Sequence, residues 1–127
     1  MSNFLTEQFG LDGQTAVVIG ATGELGGAIA EGLCRAGANT VVVGRNAEAG
    51  EERAAAFADL PEAGDATFVQ CDTTSKADLR SLVDAVDAQF GRIDVLVNSA
   101  GVNAATPFLE IEEDEWDHIM NVNLKGV

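Results

Sequence analysis

The chain has 127 residues, 46% of them apolar, with 21 acidic side chains against 7 basic ones and a formal charge of −14. This is material for one ordinary domain with a core. A surface so negative repels nucleic acid and anionic membranes, so neither is expected as a partner. The apolar runs are too short for a bilayer-spanning helix. The N-terminal segment has neither a basic flank nor a long apolar stretch, so export is not indicated and a cytoplasmic location is expected. Cys34 and Cys71 stand alone, which argues against a thiolate metal cluster or a disulfide framework. The acid excess resembles that of halophilic proteins, whose surface self-repulsion is screened at high ionic strength.

In chain order, the β-branched run Thr15 to Ile19 is apolar on both alternate faces, as a parallel strand covered on both sides requires. Leu25, Ile29 and Leu33 then recur every four residues, with Ala36 closing the stripe, and predict a helix. A second strand is expected over Thr40 to Val43. A helix rich in Ala and Glu follows over Glu48 to Leu60, with Phe57 and Leu60 facing in. The more polar segment Thr67 to Cys71 predicts a third strand. Ser75 and Asp78 form a capping box before a stripe of Leu79, Leu82, Val83, Val86 and Phe90. Gly37 and Gly91 follow their helices as C-terminal caps would. Ile93 to Val97 predicts a fourth strand.

A last helix is expected to start near Glu112, with Ile111 and Trp116 as a hydrophobic staple and Glu113, Asp114 and Glu115 favouring the positive end of its dipole. Six acids fall within Glu110 to Asp117, which reads as a solvated helix start rather than a metal site. Trp116, Met120 and Val127 share one face, and Asn123 lies among them. An amide there either ties neighbouring backbone together or presents itself to a site. Right-handed crossovers turn this alternation into a doubly wound parallel sheet of order 3-2-1-4, an α/β Rossmann fold that stops after the helix following the fourth strand. A flavodoxin-like sheet shows the same periodicity.

The turn after the first strand reads Gly20-Ala21-Thr22-Gly23-Glu24-Leu25-Gly26, with Gly27 next. Gly20 allows a sharp turn, Gly23 close approach of a phosphate, and Gly26 tight seating of the helix on the sheet. Free N–H groups at the helix start then face an anion. In this strand–turn–helix context the turn points to a dinucleotide; without a following Gly-Lys-Ser/Thr it is not a triphosphate loop. The second strand ends in Val43-Gly44-Arg45-Asn46, where NAD-binding folds carry an acid. Gly44 leaves room and Arg45 pairs with a 2′-phosphate, favouring NADP over NAD. Glu24 is the discordant residue, a carboxylate at the mouth of the phosphate turn.

Taken together, these motifs resemble the N-terminal half of the short-chain dehydrogenase/reductase family. The likeness begins at Leu11-Asp12-Gly13 and covers nearly the whole chain, 1–127, as a partial NAD(P)-binding domain. The family's TGxxxGxG turn is matched in its first and last glycine, with Ile19 for the threonine and Glu24 for the middle glycine. Asp72, with Thr73 beside it, matches the Asp that meets the adenine amino group. Asn98-Ser99-Ala100-Gly101 matches the NNAG motif, with Ser99 for the second Asn. The resemblance implies that Asn98 steadies the sheet, that Ala100 and Gly101 line the cofactor cleft, and that Asn123 belongs to the catalytic tetrad. In that tetrad Asn123 would hold a helix kink and position a water.

The family's Ser and YxxxK residues lie downstream of that Asn, and the 127 residues contain no tyrosine. Lys76 and Lys125 belong to other elements, and His118 lies off the inward face. The chain alone is therefore expected to be inactive. A longer parent would transfer hydride between the nicotinamide and a carbonyl or secondary alcohol of a small molecule such as a sugar, polyol or ketoacyl compound. That parent is expected to be a homodimer or homotetramer. The alternative is a non-catalytic dinucleotide-binding or regulatory module.

Overall fold

The computed structural model describes residues 4–127; residues 1–3, the start of the N-terminal segment for which no export signal is expected, lie outside the described residues. A short helix α1 (Phe4–Phe9), too brief to show a periodicity, precedes β1 (Thr15–Ile19), α2 (Glu24–Arg35), β2 (Asn39–Gly44), α3 (Ala47–Ala58), β3 (Ala66–Gln70), α4 (Lys76–Phe90) and β4 (Val95–Asn98). A 3₁₀ turn (Phe108–Glu110), α5 (Glu113–Met120) and a π-helical turn (Asn121–Lys125) follow. The four strands form one parallel sheet in the order β3-β2-β1-β4, the Rossmann half-sheet.

Strand residues alternate between two cores, which is why both faces of β1 and β2 had to be apolar. Val17, Ile19, Val41 and Val43 pack with Cys71 against Leu82 and Val86 of α4. Val18 and Val42 point to the opposite face, against Ala30 and Cys34 of α2 and Ala54 and Phe57 of α3. Each fully buried valine contributes about 1.5–3 kcal/mol by removal from water. Ser75 Oγ accepts from Asp78 N at the start of α4, and Gly91 closes that helix in the left-handed conformation.

Four local expectations are corrected. The buried stripe of α2 is Gly26, Gly27, Ala30 and Cys34, whereas Leu25 is 72% exposed. Small residues let α2 sit close to the sheet, so the inward face is the one with little hydropathy contrast. β4 begins at Val95 rather than Ile93. Ahead of it Asp94 N donates to Thr15 O, and Thr15 N donates to the Asp94 carboxylate (2.8 Å), so a side chain continues the pairing. In the last helix, Trp116 and Ile111 are exposed and bury little as a staple. The π turn widens the helix after Met120 and takes Val127 out of the supposed stripe, so that Val122 is the residue turned inward. Val83 of α4, expected inside, is half exposed.

Two stability predictions arise here. Thr15 Oγ1 is buried at the N-terminal end of β1 without a hydrogen-bond partner among the described residues, so its desolvation is uncompensated there. Thr15→Val should raise stability by about 1 kcal/mol in urea unfolding; a lowered midpoint would show that the hydroxyl has a role. Asp94 pairs with Arg92 through two short contacts (2.8 and 2.6 Å), and this pairing, then the Thr15 N–H, holds its carboxyl below the usual carboxylate range. Because its folded-state pKa is depressed, Asp94 stabilises above its unfolded pKa of about 3.9 and loses that contribution as pH falls through the folded value. The stability gap between wild type and Asp94→Asn should therefore close on acidification; a pH-independent gap contradicts this.

Candidate functional site

All four strands end at the same side of the sheet, and the segments that leave them line one cleft. After β1 the chain turns into α2 on one face. The crossover from β3 through α4 runs on the other face and returns at β4. The gap between β1 and β4 is thus the point where successive connections diverge, where open α/β sheets bind ligands.

The turn after β1 is built for close approach. Gly20 has φ +83°, and a Cβ there would lie 2.6 Å from the Ala100 nitrogen and the Ser99 carbonyl carbon. A Cβ on Gly26 would run into the Gly20 carbonyl and Ser99 Oγ. Gly23 is the N-terminal cap of α2, in extended backbone with no side-chain cap. The first N–H groups of α2 therefore point out of the helix without an intrahelical partner, next to the cleft.

From the end of β2, Arg45 reaches the cleft. Among the described residues it forms no ion pair within 4 Å; its carbonyl accepts from Gln70 Nε2 (2.9 Å). The space over Gly44 is taken by the Thr22 side chain rather than left open for a ligand, a correction to the expected role of that glycine. From β3 come Cys71, Asp72 and Thr73. Asp72 Oδ1 accepts from Thr74 N and Thr74 Oγ1 (2.9 and 2.7 Å), and these bonds hold its carboxyl below the usual range. Asp78 does more than cap α4: its Oδ2 accepts from Asp72 N (3.0 Å) and fixes the Asp72 backbone, a link no local motif announces. Cys71 is buried at the floor, and burial pushes its thiol pKa up.

From β4, Ser99 donates its hydroxyl to Ile19 O (2.6 Å) and ties the strand ends together. Sequence alone marked Ser99 only as a departure from NNAG. Asn123 is engaged at both ends of its amide. Oδ1 accepts from Val102 N (2.7 Å) and Nδ2 donates to Val102 O (2.8 Å), so it ties backbone together from within the π turn.

The cleft thus brings together Gly20, Thr22, Gly23, Arg45, Asp72, Thr73, Ala100 and Gly101, with Val122 unforeseen. Six others lie outside its lining. Gly26 sits beneath it, and Leu25 points to solvent. Asn46 caps α3 by accepting from Ala49 N (3.1 Å). Asn98 closes β4 in register with Ile19, and Asn123 stands behind Val102. Glu24 lines a separate groove with Glu31, Glu52 and Arg53, so its carboxylate does not stand in the mouth of the phosphate turn as the sequence suggested.

An extended ligand with a central diphosphate fits these groups. Backbone N–H groups and glycines would meet the phosphates, Asp72 a base amino group, and Arg45 an outlying phosphate. No helix among the described residues is long and apolar enough to cross a membrane.

Comparison with known proteins agrees with this architecture. The chain is 41% identical over 118 residues to the D-threitol dehydrogenase of Mycolicibacterium smegmatis, covering 93% of this chain and 45% of that protein. It is 36% identical over 120 residues to the gluconate 5-dehydrogenase of Gluconobacter oxydans, covering 94% and 46%. Among solved structures, a gluconate 5-dehydrogenase from Burkholderia cenocepacia in complex with NADP and tartrate superposes with a TM-score of 0.82 at 36% identity, over 95% of this chain and 47% of that one. The chain spans about half the length of the curated relatives it matches. The family model for short chain dehydrogenase matches residues 14–127. That match spans the glycine turn and all four strand ends that build the cleft, and the chain belongs to the short chain dehydrogenase family.

Proposed function

We propose that the cleft binds NADP(H) and that the chain supplies the cofactor-holding part of an oxidoreductase acting on a small carbonyl or secondary alcohol. The observation that carries this is the convergence of the uncapped start of α2, Arg45 and Asp72 on one cleft. The bound nicotinamide would accept or donate the hydride. This chain's own residues hold the cofactor: the turn at Gly20 and Gly23 its diphosphate, Arg45 the 2′-phosphate and Asp72 the adenine. Asn123 shapes the wall beside them by clamping Val102. The names of the relatives above favour a polyol or sugar-acid substrate. The exposed Trp116 and Leu124 and the edge residue Leu96 offer apolar surface for an assembly of like subunits.

No tyrosine occurs in the 127 residues, so the chain by itself provides the cofactor site without the proton donor that the resemblance implies. Titration with NADPH followed by its fluorescence should show saturable binding, tighter than for NADH. The same material, free of host reductases, should turn over no alcohol or carbonyl. Absence of saturable binding would overturn the reading, and turnover would overturn the division of labour.

A further inference from the structure

Gly26 is explained by its contact with Gly20 and Ser99, but the adjacent Gly27 faces the other way, toward α3. A Cβ on Gly27 would land on the guanidinium of Arg53. Arg53 is partly exposed and its guanidinium forms no ion pair within 4 Å among the described residues, although Glu24, Glu31 and Glu52 line the same groove. It is spent on backbone instead: Arg53 Nη1 donates to Gly23 O at 3.0 Å. The same carbonyl accepts from Gly27 N (3.0 Å), while Gly23 N donates to Gly20 O (3.1 Å).

The peptide joining Gly23 to Glu24 is planar, with its C=O and N–H on opposite sides. Its carbonyl points along α2 to Gly27 N, so the Glu24 N–H points back out of the helix start, beside the cleft. Gly23 has no side chain of its own to steady this peptide, and α2 has no side-chain cap. The Gly27 N–H already holds this carbonyl; Arg53 adds a second, charged donor from α3 and puts positive charge beside an otherwise acidic groove.

We propose that Arg53 is a positioning residue for the diphosphate-binding turn and that Gly27 leaves the space its guanidinium occupies, a seat that a Cβ would enter. This rests on the reading that the turn holds the diphosphate of a dinucleotide. Arg53 touches no ligand; it acts through the Gly23 peptide.

The test uses ADP-ribose, which carries the diphosphate, and adenosine 2′-monophosphate, which lacks it. Calorimetric titration of the wild-type chain is compared with Arg53→Met, Gly27→Ala and the double variant. Arg53→Met should weaken ADP-ribose about tenfold and leave adenosine 2′-monophosphate unchanged. Gly27→Ala should weaken ADP-ribose by a similar factor while its melting temperature holds or rises, because alanine favours the helix. The double variant should be no weaker than either single one, since both remove the same contact. Wild-type affinity for ADP-ribose in Arg53→Met or in Gly27→Ala, multiplied losses in the double variant, or equal losses for both ligands would overturn the proposal. Failure of the wild-type chain to bind ADP-ribose would instead overturn the cofactor reading beneath it.

Discussion

Replacing Gly20 by alanine is expected to cost about 2–4 kcal/mol of stability and to abolish NADPH binding. Two effects combine. The backbone at φ +83° is left-handed, a conformation that penalises a Cβ, and the added atom would sit 2.6 Å from the Ala100 nitrogen. Neither neighbour is a flexible side-chain end; both belong to the backbone that leaves β4. The strain can be relieved only by moving the β1 and β4 ends apart, which pulls on the hydrogen bonds from Ser99 N (3.0 Å) and Ser99 Oγ (2.6 Å) to Ile19 O. Urea unfolding with an unchanged slope, together with NADPH titration, would measure both losses. Gly32→Ala is the control, because a Cβ there meets nothing within 4 Å on the exposed side of α2. It should gain up to about 1 kcal/mol from helix propensity. Equal behaviour of the two variants would show that the contact at Gly20 is not what limits the turn.

Arg45→Ala is expected to weaken NADP by about 1–3 kcal/mol, roughly 5- to 150-fold, and to leave NAD nearly unchanged. The guanidinium lines the cleft without an ion-pair partner among the described residues, so no internal bridge has to be broken for it to meet a phosphate. Its backbone is held through Gln70, whose Nε2 donates to Arg45 O. Asp72, on the neighbouring strand end, is kept anionic by its Thr74 hydrogen bonds and also feels the Arg45 charge. Removing that charge leaves the carboxylate facing the same space, so NADP loses an attraction and meets a less screened repulsion. Equal losses for both cofactors would show that Arg45 does not read the 2′-phosphate.

Much of the sheet was legible because its residues carry their burial in local composition. The runs at Thr15 to Ile19 and Thr40 to Val43 are β-branched on both faces, and those strands are the two central ones, covered by α2 and α3 on one side and α4 on the other. Ser75 and Gly91 announced both ends of α4, since capping is satisfied within a few residues. What stayed illegible depends on pairs far apart in sequence. The inward face of α2 consists of glycine, alanine and cysteine, which a hydropathy stripe passes over in favour of Leu25. Its packing is decided by how near Ser99, 73 positions beyond Gly26, can come. Likewise Glu24 looked adverse because it is adjacent in sequence to the phosphate turn, yet the first turn of α2 carries it around to the groove shared with α3. Asn123 illustrates a middle case. Its need for partners was readable from its place in an apolar stripe, whereas the identity of the partner, the Val102 backbone, comes only from the loop after β4.

Whether one cleft at the strand ends holds a nicotinamide dinucleotide is decided by mapping NADPH onto the backbone amides. In ¹H–¹⁵N correlation spectra of the labelled chain, saturating NADPH should shift the amides of Gly20, Thr22, Gly23, Asp72, Thr73, Ala100 and Gly101 together, with one common affinity. The amides of Glu31 and Glu52, in the groove on the far side of α2, should move little. Shifts confined to that groove or to α5, or no shifts at saturating cofactor, would contradict the claim.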